Sequence, residues 1–348
     1  MIEKKIADPQ AKNVVPFPLG KKEGLRIVFM GTPEFAVASL DKLVQAGYDI
    51  VGVITAPDKP GGRGMELQQS AVKKYAVEHH LKILQPEKLK NPEFLEELRS
   101  LKADVQIVVA FRMLPEAVWD MPPLGTINLH GSLLPQYRGA APINWAIING
   151  EKYTGVTSFK LQHAIDTGNI LMAEKINIDA DETAGELHDK MKEVGAALLL
   201  KTLKGLADDS LKETEQATIV NGQSSIVNEE SQYSPFSIDH SRLHHAPKIF
   251  TETCQIDFTK PVDEVYNLIR GLSPYPAAFT FLNGKKVKVV KVKKVEKVPT
   301  GKPGEIETDG KTFLHFACSN GYIAVKELQL EGKKKMNVED FLRGYRFA

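Results

Sequence analysis

Val105-Gln106-Ile107-Val108-Val109-Ala110-Phe111 reads as one buried strand, uncharged and dominated by β-branched residues. Runs of the same kind flank it: Arg26–Met30 (RIVFM) and Ile50–Ile54 (IVGVI) before, Gly125–Leu129 after. Near-continuous apolar strands of this sort belong to a sheet covered on both faces. Between them Glu34–Ala46, Ser70–His80 and Pro92–Ser100 carry helical periodicity, and Leu81–Leu84 adds a short strand. Strands alternating with helices imply an α/β fold, Rossmann-like, with a parallel-rich sheet and right-handed crossovers. Such a sheet gathers its site at the carboxyl ends of its strands.

Further along, Thr183–Lys204 is a long helical pattern opened by Thr183 with Glu186 three residues on, the pairing of a capping box. The texture then changes. Residues 208–245 are polar and rich in Ser, Asn and Gln, and read as a connector. Beyond them a helix at Val262–Arg270 is followed by short strands at Ala277–Leu282, Lys286–Val295, Thr312–Ala317 and Tyr322–Leu330, the pattern of a small OB-like β-barrel. The expected organisation is a flexible extension over 1–24, a catalytic domain over 25–207, a linker over 208–245 and a C-terminal domain over 246–348.

With 348 residues, 42% hydrophobic and 26% charged, the chain is an ordinary globular one, and its net charge is only +1. The charge is unevenly spread. Residues 246–348 hold 18 Lys and Arg against 12 Asp and Glu, whereas the remainder is mildly acidic. A basic module suits a polyanionic partner, or simply a solvated sheet face. Two cysteines, Cys254 and Cys318, indicate neither a disulfide framework nor a zinc site. The apolar runs are too short to span a bilayer and the start lacks a secretory core, so a cytoplasmic location is expected. The pairs His79-His80 and His244-His245 lack ligand spacing, and no metal is expected.

Gly31-Thr32-Pro33 ends the first strand but is neither a G-x-G-x-x-G nor a Walker sequence, so a dinucleotide cofactor is poorly supported. The richest segment is Asn128-Leu129-His130-Gly131-Ser132-Leu133-Leu134-Pro135, continuing to Pro142. On an extended strand Asn128 and His130 share a side, at the point where the strand breaks into a Gly- and Pro-rich loop. Downstream lies Asp166-Thr167-Gly168. The triplet also occurs in aspartic proteases, but those need an all-β setting and paired carboxylates. A turn aspartate before a glycine is the plain alternative; the combination of Asn, His and Asp favours chemistry.

N-L-H-x-S-L-L-P followed by D-T-G resembles the folate-dependent formyltransferases. Phe29–Phe35 (FMGTPEF), Pro57–Gly64 (PDKPGGRG), Ser132–Pro142 (SLLPQYRGAAP) and Gly271–Pro276 (GLSPYP) extend the likeness from about Leu25 to the C-terminus, toward those members that act on methionyl initiator tRNA. Phe111-Arg112 stands where the family commonly has Tyr-Gly, Ala71 where Pro is common, and Gln162-His163-Ala164 where a more acidic, Gly-containing stretch is usual.

The resemblance implies an enzyme of translation initiation. It would transfer the formyl group of 10-formyltetrahydrofolate, its co-substrate, to the α-amino group of methionyl initiator tRNA, acting as a monomer. Asn128, His130 and Asp166 would be catalytic. The folate would lie against Phe111, Arg112, Met113 and Leu114 and against Ser132, Leu133, Leu134 and Pro135. The loop carrying Lys59 and Arg63 would enter the acceptor stem, with Arg63 as the principal contact. The Lys285–Lys297 region, beginning with Lys285 and Lys286, would meet phosphates without reading sequence. Another formyltransferase acting on a small amine would use the same trio, and a non-catalytic tRNA-binding relic would need none of it; a small substrate needs neither the Arg63 loop nor the basic domain.

Overall fold

The computed structural model describes residues 24–61, 66–217 and 243–347. The expected extension therefore lies outside the described residues apart from Gly24, and Arg63 and most of the expected connector lie outside them too. Among the described residues no helix is long and apolar enough to cross a membrane.

The first domain is built on a seven-stranded sheet. Its strands are β1 (Arg26–Gly31), β2 (Asp49–Ile54), β5 (Ile83–Leu84), β6 (Val105–Val109), β7 (Thr126–His130), β9 (Tyr153–Lys160) and β10 (Ile170–Asn177), in the order β10-β9-β7-β6-β1-β2-β5. Between β2 and β5 a hairpin, β3 (Lys59–Gly61) with β4 (Glu66–Gln68), stands apart from this sheet, as does the short parallel pair of β8 (Arg138–Gly139) with β11 (His245–Ala246). The five strands from β7 to β5 run parallel, as the apolar runs imply. The last two, β9 and β10, are antiparallel. Helices α1 (Glu34–Gln45), α2 (Ala71–Glu78), α3 (Pro92–Ser100), α4 (Glu116–Trp119) and α5 (Pro142–Ile148) fill the crossovers and loops. Ile27, Phe29, Leu40, Leu43, Ile107 and Ile127 are buried together in the larger core, and Val28, Met30, Ile54 and Leu98 on the sheet's other face.

Helix α6 (Ala184–Ala207) opens with the expected capping box: the Thr183 hydroxyl accepts from the Glu186 N–H while Glu186 accepts from the Thr183 N–H. Its buried face, including Leu187, Met191 and Leu199, packs into the larger core.

Residues 254–347 form a second core around a helix at Val262–Gly271. The helix lies against an antiparallel sheet of β12 (Ala278–Leu282), β13 (Lys285–Val295), β16 (Tyr322–Leu330), β15 (Leu314–Ala317) and β14 (Ile306–Thr308). Among the described pairings β12 and β14 do not join, so the OB-like barrel is open, a half-barrel. The domains meet through polar bonds: Asn144 donates to the Gly271 carbonyl, Arg270 to the Glu182 carbonyl and Tyr266 to the Asp181 carboxylate. Burial and the Asp181 carboxylate both raise the Tyr266 pKa, which keeps that donor protonated.

Candidate active site

β7 lies in the middle of the sheet, and its carboxyl end carries Asn128 and His130 on one side. Asn128 pairs with Val108 and Phe159 and is half-buried; His130 pairs with Thr157 and is only 7% exposed. The His130 Nε2–H donates to the Tyr137 carbonyl at 2.9 Å, since a carbonyl only accepts. That leaves Nδ1 facing the Asp166 carboxylate at 3.9 Å.

Asp166 arrives from a turn between β9 and β10. Its φ of 53° is a left-handed conformation that L residues seldom adopt. Its carboxylate accepts from the Gly139 N–H at 3.0 Å. Two residues on, a Cβ at Gly168 would stand 1.6 Å from the Lys160 carbonyl oxygen, so only glycine lets the turn lie this close to β9.

Asn128, His130 and Asp166 open into one cavity of about 740 Å³. Phe111, Arg112, Met113 and Leu114 line it, with Pro142, Asn144 and His188 on other sides. Arg112 bends away from the reacting centre: its guanidinium donates to the carbonyls of Pro86 and Glu87. Met113, 75% exposed, and Ile165, 61% exposed, form an apolar rim.

Ser132, Leu133, Leu134 and Pro135, expected against the folate, are not among the residues that line this cavity. All four are buried behind the wall. Leu133 and Leu134 pack with Phe159, Ile170 and Ala173, and the Ser132 hydroxyl donates to the Gln136 carbonyl. The Thr157 hydroxyl, opposite His130, donates to the Ser132 carbonyl and accepts from the Leu134 N–H. These residues brace the loop, and Gly131 before them is the part that reaches the cavity.

A second set of residues, given no role in the sequence reading, supports the trio. Gln216, 2% exposed, donates to the Asp166 and Gly168 carbonyls and accepts from Arg138. Tyr137 donates to Glu151 at 2.5 Å and lies 3.1 Å from His244 Nδ1. Burial first, then the Glu151 carboxylate, raise the Tyr137 pKa and keep its donor in place. His188, from the first turns of α6, stands 5.2 Å from the Phe35 ring. No motif flagged Gln216, Glu151 or His188, and Tyr137 and Arg138 sit inside SLLPQYRGAAP with no role attached to them. The segment carrying Gln216 had the composition of a linker.

Lys285, Lys291, Lys293 and Lys294 are exposed along β13, whereas Lys286 is half-buried with its ammonium 3.6 Å from the Phe279 ring centroid. The Glu186 carboxyl is held low by its bonds to Thr183, with the Lys291 charge contributing. Lys59, in the β3–β4 hairpin, is exposed. Among the described residues no group of three or more His, Cys, Asp or Glu could hold a metal ion.

The formyl transferase family model matches residues 25–203, and the model of the formyl transferase C-terminal domain matches 248–346. A methionyl-tRNA formyltransferase of Bacteroides fragilis is 51% identical over 330 residues, covering 93% of this chain and 96% of its own length. One from Phocaeicola vulgatus is 53% identical over 333 residues, covering 94% and 97%. The chain belongs to the methionyl-tRNA formyltransferase family. Solved structures share the fold at low identity. The N-formyltransferase of Helicobacter canadensis, in complex with folinic acid and dTDP-3-aminofucose, is 20% identical with a TM-score of 0.61, over 89% of this chain and 99% of that one. HypX of Aquifex aeolicus, in complex with tetrahydrofolic acid, is 17% identical with a TM-score of 0.59, over 93% of this chain and 48% of that one. The formyltransferase identity gives the cavity a reaction to be tested against.

Proposed function

We propose that the chain transfers the formyl group of 10-formyltetrahydrofolate to the α-amino group of methionyl initiator tRNA, in the cytoplasm and as a monomer. The observation that carries the reading is the convergence of an amide, an imidazole and a carboxylate at one end of a cavity large enough for a pterin. The methionine amine attacks the formyl carbon, and negative charge develops on the formyl oxygen. The Asn128 amide donates to that oxyanion, a contribution typically of about 3–4 kcal/mol to the barrier. His130 delivers or accepts a proton at the same centre through Nδ1, the nitrogen left open by Tyr137. Asp166 orients that imidazole as the amine loses its proton. The folate N10 leaves once protonated.

The loop Phe111–Leu114 offers the pterin backbone groups and apolar surface. The exposed lysines of β13, with Lys59 and Arg63, supply phosphate contacts. Charged initiator tRNA, a sugar-nucleotide amine and 10-formyltetrahydrofolate together separate the readings. Formylated methionyl-tRNA as the sole product is expected, with a tRNA KM that climbs steeply with added salt. Formylation of the small amine at a comparable kcat/KM would favour the alternative. Arg63→Ala should raise the tRNA KM and spare the folate KM.

A further inference from the structure

We infer that Gln216 is a positioning residue for the reaction, holding Asp166 in the place where it can act on His130; the inference rests on the catalytic role proposed for Asp166. Gln216 lies nine residues past the end of α6 and is almost wholly buried. Both ends of its amide are engaged. Nε2 donates to the Asp166 carbonyl at 2.9 Å and to the Gly168 carbonyl at 2.8 Å. Oε1 accepts from Arg138 Nε at 3.0 Å and from the adjacent guanidinium nitrogen. Buried polar groups satisfied on every side are the ones that fix a geometry rather than merely fill space.

The turn needs such a fixture. Asp166 has a left-handed backbone, a conformation that persists only where its surroundings over-determine it. Gly139 holds the carboxylate end and Gln216 the backbone end. Both lead to the same short piece of chain: Gln216 grips Arg138, Gly139 is the next residue, and the residue before is Tyr137, whose carbonyl fixes His130. The imidazole and the carboxylate are thus both referenced to residues 137–139. Without the amide, the Asp166 and Gly168 carbonyls lose a donor. Arg138, which already feels the Asp166 charge, is then released to pair with the carboxylate in competition with His130.

The test uses the full chain in the formyl-transfer assay. Gln216→Leu is expected to lower kcat by about ten- to a hundred-fold with both KM values little changed, the cost of misplacing a catalytic group by an ångström or less. Gln216→Glu keeps the shape and the Arg138 acceptor but loses the N–H donors; an equal loss is expected, and it serves where the leucine variant does not fold. In an Asp166→Ala background Gln216→Leu should change the residual rate by less than about two-fold, because the residue acts through Asp166. Glu213→Gln is the control: Glu213 ties the same segment to Lys160 and Asn169 without touching Asp166, and its kcat should hold. Wild-type kcat in both Gln216 variants, an undiminished loss in the Asp166→Ala background, or an equal loss in Glu213→Gln overturns the assignment. An Asp166→Ala enzyme that keeps full turnover is a different failure: it removes Asp166 from the mechanism, and this inference with it.

Discussion

Two parts of the cavity wall hold their catalytic groups by different means. Asn128 and His130 project from β7, a strand hydrogen-bonded on both sides in the middle of the sheet, and the loop that follows is pinned by Thr157 and buried Leu134. Asp166 projects from a turn with an exposed shoulder at Ile165, and it owes its place to single polar bonds from Gly139 and Gln216 and to a glycine two residues on. The strand gives precision as a by-product of the core. The turn's precision is separate from the core, so it can be lost without unfolding and tuned without repacking.

The contrast can be broken by mutation. The largest effect is expected from the groups themselves. His130→Ala and Asn128→Ala should lower kcat by about 10²–10³-fold or more while far-ultraviolet circular dichroism and the melting temperature stay near wild type. Leu134→Ala strikes the support of the strand. It should destabilise the domain by about 2–5 kcal/mol in urea unfolding, the usual cost of emptying a buried leucine site, and leave kcat of the folded fraction within a few-fold. Gly168→Ala strikes the support of the turn. Its Cβ collides with the Lys160 carbonyl, so a smaller stability loss of about 1–3 kcal/mol should accompany a much larger loss of kcat. If Leu134→Ala and Gly168→Ala instead lose activity in proportion to stability, the two walls are not distinct. Thr183→Ala, at the cap of α6, should cost only about 1 kcal/mol and no catalysis, which sets the baseline for a remote change.

What could be read from the sequence follows the same division. The strands β1, β2, β6 and β7 announce themselves because burial on both faces demands unbroken apolar runs. Helix α6 announces itself through Thr183 and Glu186. β9 is harder: its buried residues include Thr154, Thr157 and Ser158, and the latter two reach hydrogen-bond partners at Ser132 and Thr202 that only the fold supplies. A polar strand of this kind shows no clean alternation. The asparagine, histidine and aspartate were visible as residue types in a telling order, but the support from Gln216 was not. Gln216 sits in a polar stretch whose composition is that of a linker, and nothing in the sequence pairs it with Arg138 some eighty positions earlier. Leu133 and Leu134 illustrate the reverse. They belong to the motif that carries the resemblance, and the fold buries both against Phe159, Ile170 and Ala173, a packing role the motif does not announce.

The contacts of residues 244–247 with the first domain have a consequence for how the molecule is held together. His244 meets Tyr137, His245 and Ala246 pair with Arg138 and Gly139, and Pro247 accepts from the Trp145 indole, all before the second core begins. Residues 244–247 are therefore attached to the catalytic side by a seam of backbone pairing rather than a tether. Severing the polypeptide between 217 and 243 should leave two fragments that co-purify, stitched beside the carbonyl that steadies the imidazole.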